Sequence, residues 1–181
     1  MVLLEGGERR PQEDCGAYVD EDKQWCAGKF ERWTEILPPE EGDLRQCVHI
    51  DEIADGSFQH DVDPSARRIM RRLNRPTGLT RQAVVWTRVE PGARSTAYHT
   101  HDRTDEWVFI LEGHAQVRVG DDRFQVDPFD FVGHPAGSPA HIMEPTEPLT
   151  YLMGGEINAD DVVIYPEAGV RRVHRKLEQL P

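Results

Sequence analysis

The sequence predicts an all-β domain, a double-sheet jelly roll or barrel, and three observations carry that reading. Short β-branched or aromatic runs recur from Gln82 to Tyr165, each bounded by glycine, proline or acidic turn residues. No helical period between them is long enough to serve as a crossover joining parallel strands. At 181 residues the chain has room for one such domain and an additional segment, with no internal repeat.

Residues 1–21 are polar and acidic without a sustained apolar period, so an irregular lead-in is expected. Between Lys23 and Leu37, Trp25, Phe30, Trp33, Ile36 and Leu37 recur at near-helical spacing before Pro38-Pro39, which predicts a short amphipathic helix. Residues 1–47 thus read as an N-terminal extension and 48–181 as the compact domain with its tail. Gln46 to Ile50 has strand character, and residues 51–64 are turn-rich. Arg67, Arg68, Arg71, Arg72 and Arg75 form a basic cluster, read first as surface charge that pairs with the acidic excess and second as an anion site.

The strand series then runs Gln82–Val89, Glu106–Leu111, Ala115–Val119, Phe124–Val126, Asp130–Val132, Ala140–Met143, Leu149–Met153 and Val162–Tyr165. Gly120-Asp121-Asp122 is the strongest hairpin signal among the connections. Val170 to Leu180 is charged and predicts a strand followed by a short helix or tail.

Composition removes several classes of function. A net charge of -12, from 33 acidic against 21 basic residues, disfavours nucleic acid, whose phosphates need a basic face. No apolar run reaches the roughly 20 residues of a membrane span, and Met1 to Leu4 leads directly into Glu5, so a soluble cytoplasmic protein without a membrane partner is expected. Cys15, Cys26 and Cys47 lack metal-type spacing and read as free thiols.

The chemistry concentrates in Tyr98-His99-Thr100-His101 and the residues that follow. Two histidines one residue apart on a strand share a face, so both imidazoles can reach one ion. Glu106 opens the next strand and His141 returns from a distant one, which gives three imidazole nitrogens and a carboxylate. Such donors suit a divalent transition metal and leave two neighbouring positions of an octahedral sphere for substrate. Closed structural sites favour four tetrahedral ligands rich in cysteine, and no cysteine is placed here. If Glu106 faces inward, alternation also turns Val108 and Ile110 inward; from His141 it does the same for Pro139 and Met143. Tyr98, Trp86, Arg88, Arg118 and His134 are the polar or aromatic candidates for the pocket, His134 as a rim or supporting residue.

Gly92-x6-His99-x-His101-x4-Glu106-x6-Gly113 resembles the first cupin motif, and Asp130-x4-Pro135-x-Gly137-x3-His141 resembles the second. The resemblance covers about residues 48 to 170 and is nearest to small single-domain cupins of the cupin-2 type. It implies a double-stranded β-helix barrel, usually a homodimer, holding a metal at His99, His101, Glu106 and His141. Gly92 is one residue further from His99 than usual, Phe129 stands where glycine is common, Pro145 replaces a frequent asparagine, and the Gly137–His141 interval is one residue longer than the common form. The turns are altered, while every ligand position is kept.

The expected function is that of a metal-binding enzyme acting on a small organic molecule, with one divalent ion, iron first and Mn, Ni, Zn, Co or Cu as the others. An oxygen-dependent, dioxygenase-like oxidoreductase is the leading expectation, with Tyr98 and Glu106 as the residues nearest the chemistry. A non-redox metal-dependent lyase or isomerase is the second reading. The third is a non-catalytic module that binds or senses a small molecule.

Overall fold

The computed structural model describes residues 2–3, 9–10, 45–174 and 176–180. The helix expected between Lys23 and Leu37 lies outside these residues, as do Cys15 and Cys26; Cys47 is a free, exposed thiol. Among the described residues no helix is long and apolar enough to cross a membrane.

Antiparallel strands dominate. Two short strands, β1 (Val2–Leu3) and β2 (Arg9–Arg10), pair with each other. The barrel begins with β3 (Gly56–Gln59), β4 (Arg67–Arg72) and β5 (Gln82–Val89). Next come β6 (Thr100–His101), β7 (Glu106–Glu112), β8 (Ala115–Val119) and β9 (Asp122–Val126). The chain continues through β10 (Phe131–His134), β11 (His141–Pro145) and β12 (Leu149–Glu156). It ends with β13 (Val162–Tyr165), β14 (Val170–Val173) and β15 (Lys176–Gln179).

One layer is a six-stranded sheet in the order β10-β7-β12-β5-β4-β3. The other is built from β11-β8-β9 and β15-β14-β13-β6. These two small sheets meet at an isolated antiparallel bridge between His99 and His141, whose N–H groups donate to each other's carbonyls at 3.2 and 2.7 Å. Two expected metal ligands therefore also join the second layer together.

The core lies between the layers and follows strand alternation. Val89, Ile110, Leu149 and Tyr151 from the large sheet meet Ala115, Val117, Val126 and Met143 from the other. Each buried side chain here contributes roughly 1.5–3 kcal/mol of apolar transfer.

Two expectations fail for identifiable reasons, and a third, surface pairing of the arginine run, holds only in part. Gln46 to Ile50 is not a strand: a 3-10 turn at Ile50–Glu52 takes the chain round, with the His49 ring accepting from the Asp51 N–H at 3.3 Å. The segment after Val170 forms the β14–β15 hairpin with no helix, since Val170 to Val173 and Lys176 to Gln179 pair in continuous register. The Arg67–Arg72 segment is strand β4, so its arginines alternate between two faces and do not form one surface cluster. Arg71 goes outward to Asp51 and Asp55 over the Trp86 ring, whereas Arg68 turns toward the barrel interior.

The turns absorb the unusual spacings without loss of register. Phe129, where a glycine is common, holds φ +76°, and its N–H donates to Ile110 O at 2.9 Å. Gly113 is required by space as well as by its φ of +84°: a Cβ there would come within 2.2 Å of Pro148 O.

Candidate metal centre

His99 and His101 project from one side of the β6 segment, with ring centroids 5.0 Å apart, and Glu106 opens β7 after the Asp102–Asp105 loop. The loop is fixed at both ends: Asp105 Oδ1 accepts the Ala136 N–H at 2.8 Å, and the Asp102 N–H donates to Val162 O at 2.9 Å. His141 enters from β11 with its ring 4.5 Å from that of His99.

Donor atoms of His99, His101 and Glu106 all lie within 4.8 Å of one another, and His141 approaches Glu106 from outside that group. Glu106 Oε2 lies 3.4 Å from His99 Nε2, 3.6 Å from His101 Nε2 and 3.1 Å from His141 Nε2. Ligands about 2.0–2.2 Å from a shared ion stand at this kind of separation from one another. Glu106 and the His99 and His141 rings are nearly withdrawn from solvent, with side-chain exposures of 13, 7 and 8%.

The surroundings decide which ring nitrogen is available. His99 Nδ1 faces Ala97 O at 2.9 Å, and a carbonyl only accepts, so Nδ1 carries the proton and Nε2 presents a lone pair. His101 Nδ1 lies 2.5 Å from Asp161 Oδ2, which imposes the same tautomer. Two lone pairs thus face an acidic oxygen. The arrangement demands positive charge among these atoms, either as protons on the rings or as a metal cation. Burial acts to raise the Glu106 pKa, yet hydrogen bonds and charge from the His141 and His99 imidazoles hold it well below the ordinary carboxylate range.

His134 pairs with Glu106 across the β10–β7 ladder and lies flat on His141, centroids 3.5 Å apart and planes within 5°. Burial pushes its pKa down to about 3, with the charge of His141 acting in the same direction, so it remains neutral. It packs against His141 and lines the cavity. On the other side Tyr165 stacks on the His99 ring at 6.1 Å, and buried His60 packs edge-on against Tyr165 at 5.2 Å.

Of the other pocket candidates, the structure brings in Val108 and Met143, and Ile110 lies in the core beside them. It does not bring Tyr98 to the cluster. Alternation turns that side chain to the opposite face from His99, where its hydroxyl donates to Gly120 O at 3.4 Å and its ring lies 3.7 Å beneath the Arg118 guanidinium. Arg118 in turn holds Glu167. Arg88 is exposed and paired with Glu90, and Trp86 lies outside under Arg71. Pro139 is exposed because β11 begins only at His141.

Sequence reasoning missed Asp161 and Tyr151, and favoured a surface role for Arg68. Asp161 is 60 positions from His101 and next to no motif; only the β13–β6 pairing, Val163 opposite His101, brings it near. A small pocket, partly open to solvent, adjoins Glu106, His134 and His141. Val108, Val117, Val132, Met143 and Met153 form much of its wall, while Arg68, Ser95 and Tyr151 add polar atoms.

Comparison with known proteins agrees with this geometry. The family model described as "Cupin domain" matches residues 85–155. A crystal structure from Acidithiobacillus ferrooxidans, bearing the provisional name of a sugar phosphate isomerase, is 30% identical. It aligns with a TM-score of 0.68 over 72% of this chain and 86% of its own. A cupin-superfamily protein from Silicibacter pomeroyi named as a sugar phosphate isomerase is 23% identical, TM-score 0.64, over 73% of this chain and 90% of its own. The polyketide cyclase RemF from Streptomyces resistomycificus is 19% identical, TM-score 0.54, over 64% of this chain and 81% of its own. At their lower identities the last two speak for the fold alone. No curated protein matches the sequence.

Proposed function

The chain belongs to the cupin superfamily, and from that premise we propose that it is a metal-dependent enzyme for a small organic molecule, with His99, His101, Glu106 and His141 holding one divalent transition-metal ion. The observation that carries this reading is the convergence of three imidazole Nε2 atoms on Glu106 Oε2 at 3.1–3.6 Å. The Ala97 carbonyl and the Asp161 carboxylate aim two of those nitrogens. Bound there, the ion supplies Lewis acidity to a substrate oxygen.

The chain's own groups shape the rest. The valine and methionine walls exclude water and strengthen electrostatic interactions within the cavity. Tyr151 is buried, and that burial pushes its pKa up, so its hydroxyl stays protonated as a donor. His134 is too weak a base to take a proton near neutrality and acts by fixing the plane of His141.

Between the two enzymatic readings, non-redox isomerisation is the better supported, because the Acidithiobacillus protein at 30% identity is named for that chemistry. Such a reaction moves a proton between adjacent carbons of a hydroxycarbonyl compound and needs no oxidant. The test is to load metal-free protein separately with Mn(II), Zn(II) and, anaerobically, Fe(II). Phosphorylated aldoses are then followed by NMR for ketose formation, and oxygen consumption is recorded in parallel. Ketose formation without oxygen uptake supports isomerisation; substrate-dependent oxygen uptake by the Fe(II) form returns the dioxygenase-like reading.

A further inference from the structure

The half-buried arginines Arg71, Arg94, Arg118 and Arg172 each hold a carboxylate. Arg68, also half-buried, is different: among the described residues no carboxylate lies within ion-pair distance of it. Its Nη1 donates to Ser95 O at 2.6 Å, its Nε lies 3.2 Å from Met70 Sδ, and its plane rests on the Phe58 ring at 4.5 Å. Those contacts hold the guanidinium in place without neutralising it. A guanidinium has five N–H donors, so after these two contacts and one to the Tyr151 hydroxyl it still has donors to offer.

The position is also notable. Arg68 lines the same cavity as Glu106 and His141, and Tyr151 lies beside it. Sheet register places Tyr151 opposite Ile110 and Thr87. Ile110 is four residues along β7 from Glu106, a distance of roughly 13 Å at the usual strand rise. A half-buried cation with no acidic partner among the described residues is a ready site for an acidic group of a ligand.

We propose that Arg68, with the Tyr151 hydroxyl, forms an oxyanion subsite that binds the phosphate or carboxylate group of the substrate while the opposite end of the molecule reaches the Glu106 cluster. This inference rests on the reading of the cavity as the substrate site and adds a substrate class to it: compounds bearing one oxyanion at the end remote from the oxygen able to meet the metal. Arg68 is then the specificity-determining residue, and neutral analogues of the same size are rejected because they leave its charge unpaired.

Isothermal titration of the full-length, metal-free protein with inorganic phosphate, and separately with acetate, tests it. The expected result is binding of at least one anion that weakens tenfold or more in Arg68→Gln. Arg68→Lys should retain part of the affinity, and Arg88→Gln, which alters an exposed and paired arginine, should retain all of it. Phosphate binding alone assigns a phosphate ester, acetate binding alone a carboxylate. Absence of binding by the wild type, or equal affinity in Arg68→Gln with an unchanged melting temperature, overturns the subsite. If Arg68→Gln does not fold, Arg68→Lys decides: anion affinity equal to the wild type together with full affinity for acetamide, the neutral analogue, overturns it. Metal content measured on parallel samples of each variant loaded with Zn(II) separates this outcome from failure of the metal centre, because Arg68 substitution leaves His99, His101, Glu106 and His141 in place.

Discussion

Asp161 Oδ2 lies 2.5 Å from His101 Nδ1, and the other oxygen of the same carboxylate accepts the Arg103 N–H at 2.9 Å. One acidic side chain thereby fixes both the ring of His101 and the start of the loop that delivers Glu106. Partners of this kind typically set metal affinity by 10–100-fold. Asp161→Asn is expected to weaken metal binding by about that factor with little change in the fold, as read by competition with a chromogenic chelator. Unchanged affinity would mean that His101 is oriented by something else.

Tyr98 makes the opposite case. Its ring packs beneath Arg118 and its hydroxyl reaches Gly120 O, so Tyr98→Phe should leave metal content and affinity at the wild-type level. A marked loss of metal would show that Tyr98 acts on the cluster after all.

The turn at Phe129 stores strain. A left-handed conformation costs a residue with a side chain about 1–2 kcal/mol, against the 0.5–1 kcal/mol of extra chain entropy that glycine loses on folding. Phe129 is 76% exposed, so little packing is lost with it. Phe129→Gly should therefore raise stability by roughly 0.5–1 kcal/mol in urea unfolding. Gly113→Ala should lower it by more than about 2 kcal/mol, since φ is positive and backbone fills the space.

Acid weakens the link between the N-terminal side of the barrel and β14. The Asp61 carboxylate is held below its ordinary range by hydrogen bonding to Arg172, bonds of 2.7 and 2.9 Å, with the charge of the same guanidinium assisting. A depressed carboxylate contributes stability that is fully present above its unfolded pKa, 3.8, and is lost as pH falls through the lower folded value. Asp61→Asn should accordingly reduce stability above about pH 4 and flatten its acid dependence below, by a small amount because Asp61 is 57% exposed.

How much of this was legible in the sequence follows from the range of each interaction. Strand alternation is local, so His99, His101 and Glu106 could be placed on one site, and Val108 turned inward, from spacing alone. Tyr98 obeys the same rule and faces away from the metal cluster because it is adjacent to His99. Arg68 was obscured by neighbouring arginines, since composition shows a basic run while only the sheet separates its two faces. Asp161 and Tyr151 act across strands far apart in sequence, and nothing local marks them. The Gln46–Ile50 segment has apolar residues of strand type, but among the described residues no strand pairs with it.

The central claim is that three histidines and one glutamate hold a single metal ion, and it is tested most directly by elemental analysis. Protein purified without added metal and then loaded with Zn(II) should contain close to one ion per chain, whereas His101→Ala combined with His141→Ala should contain almost none. Acidification through the imidazole range near about pH 6 should release the ion from the wild type, as protons compete for the nitrogens. Stoichiometric metal in the folded double variant would contradict the account.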